Sequence, residues 1–171
     1  MIRSGKKLKA LAGILYKDNN ILISEAIGLL REEMPFEGAI GLLTSKYNET
    51  DDYSIRKAIA EFMNDLKDQS ASTEVINEIR KQWKADTISM LVSSCWQSGL
   101  DYSDYSPDLA EIFLKADYVT AIECLTVIEE SVHKLSREKK DEITKIIEES
   151  TVYQVNEKTA LTLELKSILR R

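Results

Sequence analysis

Residues 52–62 read DYSIRKAIAEF. Apolar side chains stand at Ile55, Ala58, Ile59 and Phe62, the i, i+3, i+4, i+7 spacing that puts one stripe on one face of a helix. Asp52 sits where an N-cap belongs, because its carboxylate can accept from the free amides of the first turn. The stretch matters for the fold because its pattern comes back. Ile23, Ala26, Ile27 and Leu30 repeat it 32 residues upstream, and Ile88, Leu91, Val92 and Cys95 repeat it 33 residues downstream. A further shift of 30 residues gives Tyr118, Ala121, Ile122 and Leu125. Asp86 and Asp117 precede their stripes as Asp52 does, Asn19 and Asn20 precede the first, and the tripeptide KAD occurs at both 84–86 and 115–117.

Other helices are predicted between these four. Leu8, Leu11, Ala12 and Leu15 share a face over 5–17, ahead of the helix at 21–32. Pro35 suits a first helical position before 36–47, where Gly38 and Gly41 are expected to let helices approach closely. Val75, Ile76 and Ile79 define 72–82; Ser106–Pro107 reads as an N-cap and first turn for 107–115. Ile143, Ile146 and Ile147 mark 137–149, and Leu161, Leu165, Ile168 and Leu169 mark 156–170. The result is ten helices in five pairs, over 5–33, 36–67, 71–99, 106–133 and 136–170, with a period near 32 and one continuous domain. Two helices per unit at such a period is the pattern of an α-solenoid, in which each pair completes its core against its neighbours.

Composition agrees. With 43% hydrophobic residues the chain can fill a core, and with six glycines and two prolines it lacks the turn residues of an all-β fold. No run approaches the roughly 18–20 apolar residues that span a bilayer. MIRSGKKLKALAGILYKD places bases before apolar residues, but Lys9 interrupts the run and Lys17 and Asp18 close it, so an amphipathic helix is expected rather than an export signal. Cys95 and Cys124 fall within helical apolar patterns, as buried thiols of a reducing, cytoplasmic compartment would. The net charge of −6 is uneven: residues 101–150 hold thirteen acids and six bases, whereas residues 1–20 hold five bases and one acid. Such a surface repels nucleic acid over most of its area and suits a basic protein partner.

Asp52, Ile55, Arg56, Ala58 and Phe62 together resemble the second helix of a HEAT repeat. In the other copies the arginine position holds Ser24, Ser89 and Val119, so the array is degenerate. The resemblance implies an all-α fold, a right-handed α-α superhelix of about five helix pairs whose second helices line a concave groove. It also implies that Arg56 ties adjacent repeats by reaching toward Asp86 or the turn beside it. Tetratricopeptide and ankyrin signatures are absent.

Candidate binding residues follow from positions two, five and nine after the first apolar residue of each stripe, which point away from it. They are Glu25, Lys57, Met90 and Thr120; Gly28, Ala60, Ser93 and Glu123; and Glu32, Asn64, Gln97 and Val127. The middle row is small in three copies, which leaves the groove floor open. Met90 and Trp96 would add apolar grip, although core packing is the expected place for Trp96. The segment GLDYSDYSPDLAE, 99–111, is a capped loop whose Tyr102 and Tyr105 offer a second docking point; its aspartates match no calcium-loop spacing. His133 is the only histidine, so no paired catalytic or metal set is visible, and no phosphate-binding or hydrolase motif occurs. The expectation is a non-enzymatic scaffold without cofactor that binds a protein or peptide. The alternatives are a HEAT-like nucleic-acid enzyme of the alkylpurine DNA glycosylase type, and a subunit whose end helices are covered by another chain.

Overall fold

The structure is a computed structural model that describes all residues except 2, 18, 34, 151–156 and 171. Among the described residues there are ten α-helices, two short 3-10 turns and no strand. None of these helices is long and apolar enough to cross a membrane. The chain divides into two compact units, residues 1–100 and 101–171.

The first unit holds α1 (Gly5–Leu15), α2 (Asn20–Leu30), α3 (Ala39–Glu49), α4 (Tyr53–Asn64), α5 (Ala71–Ile79) and α6 (Ala85–Gln97). Each even helix packs on the odd helix before it. In addition α1 packs on α3 and α3 on α5, while α2 packs on α4 and α4 on α6. The predicted stripes supply this packing: Ile23 and Ile27 of α2, Ile55, Ile59 and Phe62 of α4, and Leu91, Val92 and Cys95 of α6 are all buried.

The helix starts show how capping sets the boundaries. Asn19 and Asp52 cap α2 and α4 through bonds from the amides of Leu22 and Ile55. The N-cap of α6 is Lys84, which has no capping side chain of its own. Asn48 at the end of α3 fills the gap: its Oδ1 accepts from the Lys84 amide at 2.9 Å and from Thr87 Oγ1 at 3.0 Å. Asp86 is therefore not a cap, and the two KAD tripeptides are not equivalent, since Lys115 is the last residue of its helix. The helix expected from 36 begins later, at Ala39, because Gly38 takes a left-handed φ of 87° as its N-cap and Phe36 turns into the core.

α3 and α5 meet over two carboxylates. Glu74 Oε1 accepts from the amides of Gly38 at 2.9 Å and Gly41 at 3.4 Å, replacing the side-chain cap that α3 lacks. One turn on, Glu78 is buried against Gly41, where a Cβ would lie 2.9 Å from Glu78 Oε1. Lys81 Nζ donates to that oxygen at 2.6 Å. The Gly41 expectation thus holds, with a carboxylate as the group that approaches.

The second unit holds α7 (Ser106–Lys115), α8 (Tyr118–Ser131), α9 (Arg137–Glu149) and α10 (Thr159–Leu169). α7 packs on α8 and α9, and α10 packs on the same two. α7 starts at Ser106 with Tyr105 as its N-cap, one residue ahead of the predicted start. α10 starts at Thr159; position 156, where that helix was expected to begin, lies outside the described residues. Lys158 is buried, and its ammonium donates to the carbonyls of Phe113 at 3.0 Å and of Leu114 and Ala116 at 2.8 Å. These are carbonyls that the end of α7 would otherwise leave unpaired. Burial pushes the Lys158 ammonium below its ordinary pKa.

The stripe assigned to α8 needs a correction. Tyr118 and Ile122 are exposed, while Ala121, Cys124, Leu125 and Ile128 are buried. The true register lies three residues further on, and the N-caps at 19, 52, 84 and 117 stand 33, 32 and 33 residues apart. Tyr118, the first member of the expected stripe, occupies the first turn beside the Asp117 cap, on the solvent side.

Burial raises the Glu74 carboxyl above its ordinary value, assisted by the nearby charges of Glu78 and Glu37. A carboxyl whose pKa is higher in the folded state adds stability below the ordinary value and loses it as pH rises. Glu74→Gln keeps an acceptor for the two glycine amides and removes the buried charge. It is expected to raise the melting temperature at pH 7 by about 2–4 °C, the shift that roughly 1 kcal/mol produces in a chain of this size. The gain should shrink as pH is lowered toward 4.5, the ordinary glutamate value. Thermal denaturation followed by circular dichroism across that range measures it, and a pH-independent difference would contradict the account.

Candidate interaction face

α2, α4 and α6 run parallel in the first unit, tied at both ends. At the N-terminal end Asn20 Nδ2 donates to Asp52 Oδ2 at 2.8 Å and Arg56 Nη2 to Asp86 Oδ2 at 2.5 Å. At the C-terminal end Arg31 Nη1 donates to Glu61 Oε2 at 2.7 Å and its Nε to Asp65 Oδ2 at 2.8 Å. Asn64 Nδ2 donates to Gln97 Oε1 at 2.7 Å. The reach of Arg56 to Asp86 is the tie expected of it. Its guanidinium also lies 4.0 Å from the centre of the Tyr47 ring. The pair holds Asp86 below the usual carboxylate range, chiefly through the bond from Arg56.

The outward side of these helices has a floor of small residues, Gly28, Ala60 and Ser93. A Cβ at Gly28 would meet nothing within 4 Å. Glu25, Glu32 and Lys57 are exposed along the margins, and Lys57 Nζ lies 3.9 Å from Glu61. Three apolar side chains stand out of this surface: Ile21 is 74% exposed, Leu29 69% and Tyr53 78%. Sequence reasoning missed them. The signal was present, however, since each is an apolar residue off the buried stripe of its own helix.

The other predicted residues divide. Lys57, Ser93, Trp96 and Gln97 share this face: Ser93 is half-buried, Trp96 and Gln97 are exposed, and Gln97 Nε2 donates to Ser93 Oγ at 2.7 Å. Met90 does not belong to it. It is buried because α6 packs on three helices, α3, α4 and α5, whereas α2 packs on two. Trp96, expected in the core, is instead among the exposed large side chains.

In the second unit Glu123 is half-buried on α8. The corrected register makes Glu123, Thr126 and Glu130 the outward positions, and it places Thr120 and Val127 in the core. Tyr102 is buried as well, so it packs rather than presents a docking ring, while Tyr105 is half-buried. The aspartates beside them serve the fold. Asp101 accepts from the Ser103 amide at 2.9 Å and from Lys134 Nζ at 3.0 Å, and Asp104 pairs with Lys139 on α9. The Ser103 bond, with help from Lys134, lowers the Asp101 carboxyl to about 2.

No group of three or more metal-ligating side chains is placed to hold an ion among the described residues. His133 is exposed on the 3-10 turn Val132–Lys134. Cys95 and Cys124 are buried free thiols, and burial pushes Cys124 up to about 12, which makes it a poor nucleophile. No protein-family model, curated protein or solved structure matches the chain.

The end ties can be tested by a double-mutant cycle on Arg56→Ala and Asp86→Ala. Arg56 is largely sheltered and stacked on Tyr47, so a coupling of about 1 kcal/mol is expected in urea unfolding, at the upper end for a surface pair. The coupling should weaken in 1 M salt. A coupling indistinguishable from zero would leave Tyr47 stacking as the whole contribution of Arg56.

Proposed function

We propose that the chain is a non-enzymatic scaffold that binds a protein or peptide on the outward face of α2, α4 and α6, and that its helix pairs are degenerate HEAT-like repeats wound into a right-handed superhelix. The observation that carries this reading is the parallel row itself. It is tied at both ends, floored by Gly28, Ala60 and Ser93, and studded with exposed Ile21, Leu29 and Tyr53. A helix or extended peptide needs such a surface: a flat apolar strip with no side chain blocking its middle. The alternation of packing, odd on odd and even on even, supports the repeat reading, as does the near-constant spacing of the N-caps.

Charge argues for a basic partner, and the free thiols of Cys95 and Cys124 fit a reducing, cytoplasmic setting. Glu25, Glu32, Glu61 and Asp65 flank the strip, and Lys57 and Arg31 are its cations, with Arg31 already engaged by two of the acids. A DNA backbone would meet more repulsion than attraction there, which leaves the glycosylase-like alternative without support.

The test is affinity capture from native extract with crosslinking, using the chain and an Ala60→Arg variant that retains its helical circular dichroism. A partner that is captured by the chain and lost, at least tenfold, with Ala60→Arg supports the proposal. Equal capture by both would place the partner elsewhere, and a salt-sensitive shift of single- or double-stranded DNA would reopen the nucleic-acid reading.

A further inference from the structure

We propose that a cleft of 580 Å³ between α9 and α10, in the second unit, is a separate binding site for an acidic peptide segment. The chain is acidic, yet Arg137 and Lys140 of α9 converge here with Lys166 and Arg170 from the end of α10. Arg170 and Lys166 have a local reason to be where they are, since cations are favoured at a helix C-terminus. Arg137 and Lys140 have none. They occupy the first turn of α9, where the helix dipole disfavours positive charge, and neither enters an ion pair among the described residues. Lys139 between them is different, since it is matched by Asp104. Arg137 has only its neighbour Glu138 to offset it, and Lys140 forms no ion pair among the described residues. Two cations held against the local field, opposite two more across a cleft, are therefore a cost to the fold that a bound anion would reduce.

The acids of the cleft narrow the ligand. Asp141 and Glu148 also line it, and Glu148 lies 3.5 Å from Lys166. A bare polyphosphate would be pushed away by both carboxylates. A peptide can place its own carboxylates on Arg137, Lys140 and Arg170 while its backbone N–H groups face Asp141 and Glu148. Leu135 and Leu169 are buried beneath the cleft and present an apolar edge to it, which fits an aliphatic residue between the acids. The volume is that of a small-ligand pocket, so a short stretch of chain would fill it. The site lies in the other unit from the α2–α4–α6 face.

The experiment is fluorescence anisotropy of a labelled octapeptide of alternating Glu and Leu titrated with the full chain. Saturable binding that weakens with added salt is expected, together with at least a tenfold loss in Arg137→Glu/Lys140→Glu and no change in Lys6→Glu/Lys9→Glu on α1. Lys140→Ala, a milder change, should lose several-fold and guards against a folding defect in the double variant. Absence of binding, or binding unaltered by both cleft variants, overturns the proposal. So does displacement of the peptide by tripolyphosphate at matched charge, which would assign the cleft to polyanions in general.

Discussion

Every helix among the described residues is short. Eleven residues or so make about three turns, too few to hold an isolated helix in water. The structure therefore depends on one constraint: each helix must be covered on more than one side before it is stable. α4 shows how the constraint is met. Ile55, Ile59, Phe62 and Met63 are buried because α2 lies on one flank, α6 on the other and α3 behind. Take either flanking helix away and the part of that stripe it covers faces solvent. The polar ties at the helix ends are secondary in energy but not in geometry. They fix the lateral register that the apolar stripes alone would leave free to slide.

Much of this was legible in the sequence because the stripe and the cap are local patterns. The ten helices, their order and most of their core residues follow from spacing alone, while the tie from Arg56 to Asp86 follows only from the resemblance to a HEAT repeat. What failed to follow was non-local. Asp86 looked like a cap because the group that caps α6, Asn48, lies 36 residues away in the chain. The α8 register slipped because Tyr118 and Ile122 are as apolar as the residues that are buried. Only the Asp117 cap, bonded to the amide of Thr120, decides between the two readings.

The candidate face was legible in part for a similar reason. The direction of Lys57, Ser93 and Gln97 follows from their position relative to a correctly placed stripe. Met90 was misplaced because the number of neighbours a helix has cannot be read from that helix. Tyr102 was misplaced because a loop rich in aspartate and tyrosine reads as solvent-exposed, whereas here the aspartates hold lysines and amides and leave the ring beneath them. Arg137 and Lys140 escaped notice altogether. Their oddity, positive charge at the wrong end of a helix, appears only once the ends of α9 and α10 are seen together.

Lys158 has a consequence for the order in which the second unit is completed. Its ammonium serves carbonyls at the end of α7 that lie 42–45 residues earlier in the chain. During synthesis from the N-terminus, α7 and α8 emerge with those carbonyls still hydrated, and they stay so until Lys158 has left the ribosome. Up to that moment α7, α8 and α9 form an assembly in which the end of α7 is open. The segment that leads into α10 is thus what closes the end of α7, and a chain interrupted before residue 158 would expose that unfinished end to whatever else is nearby.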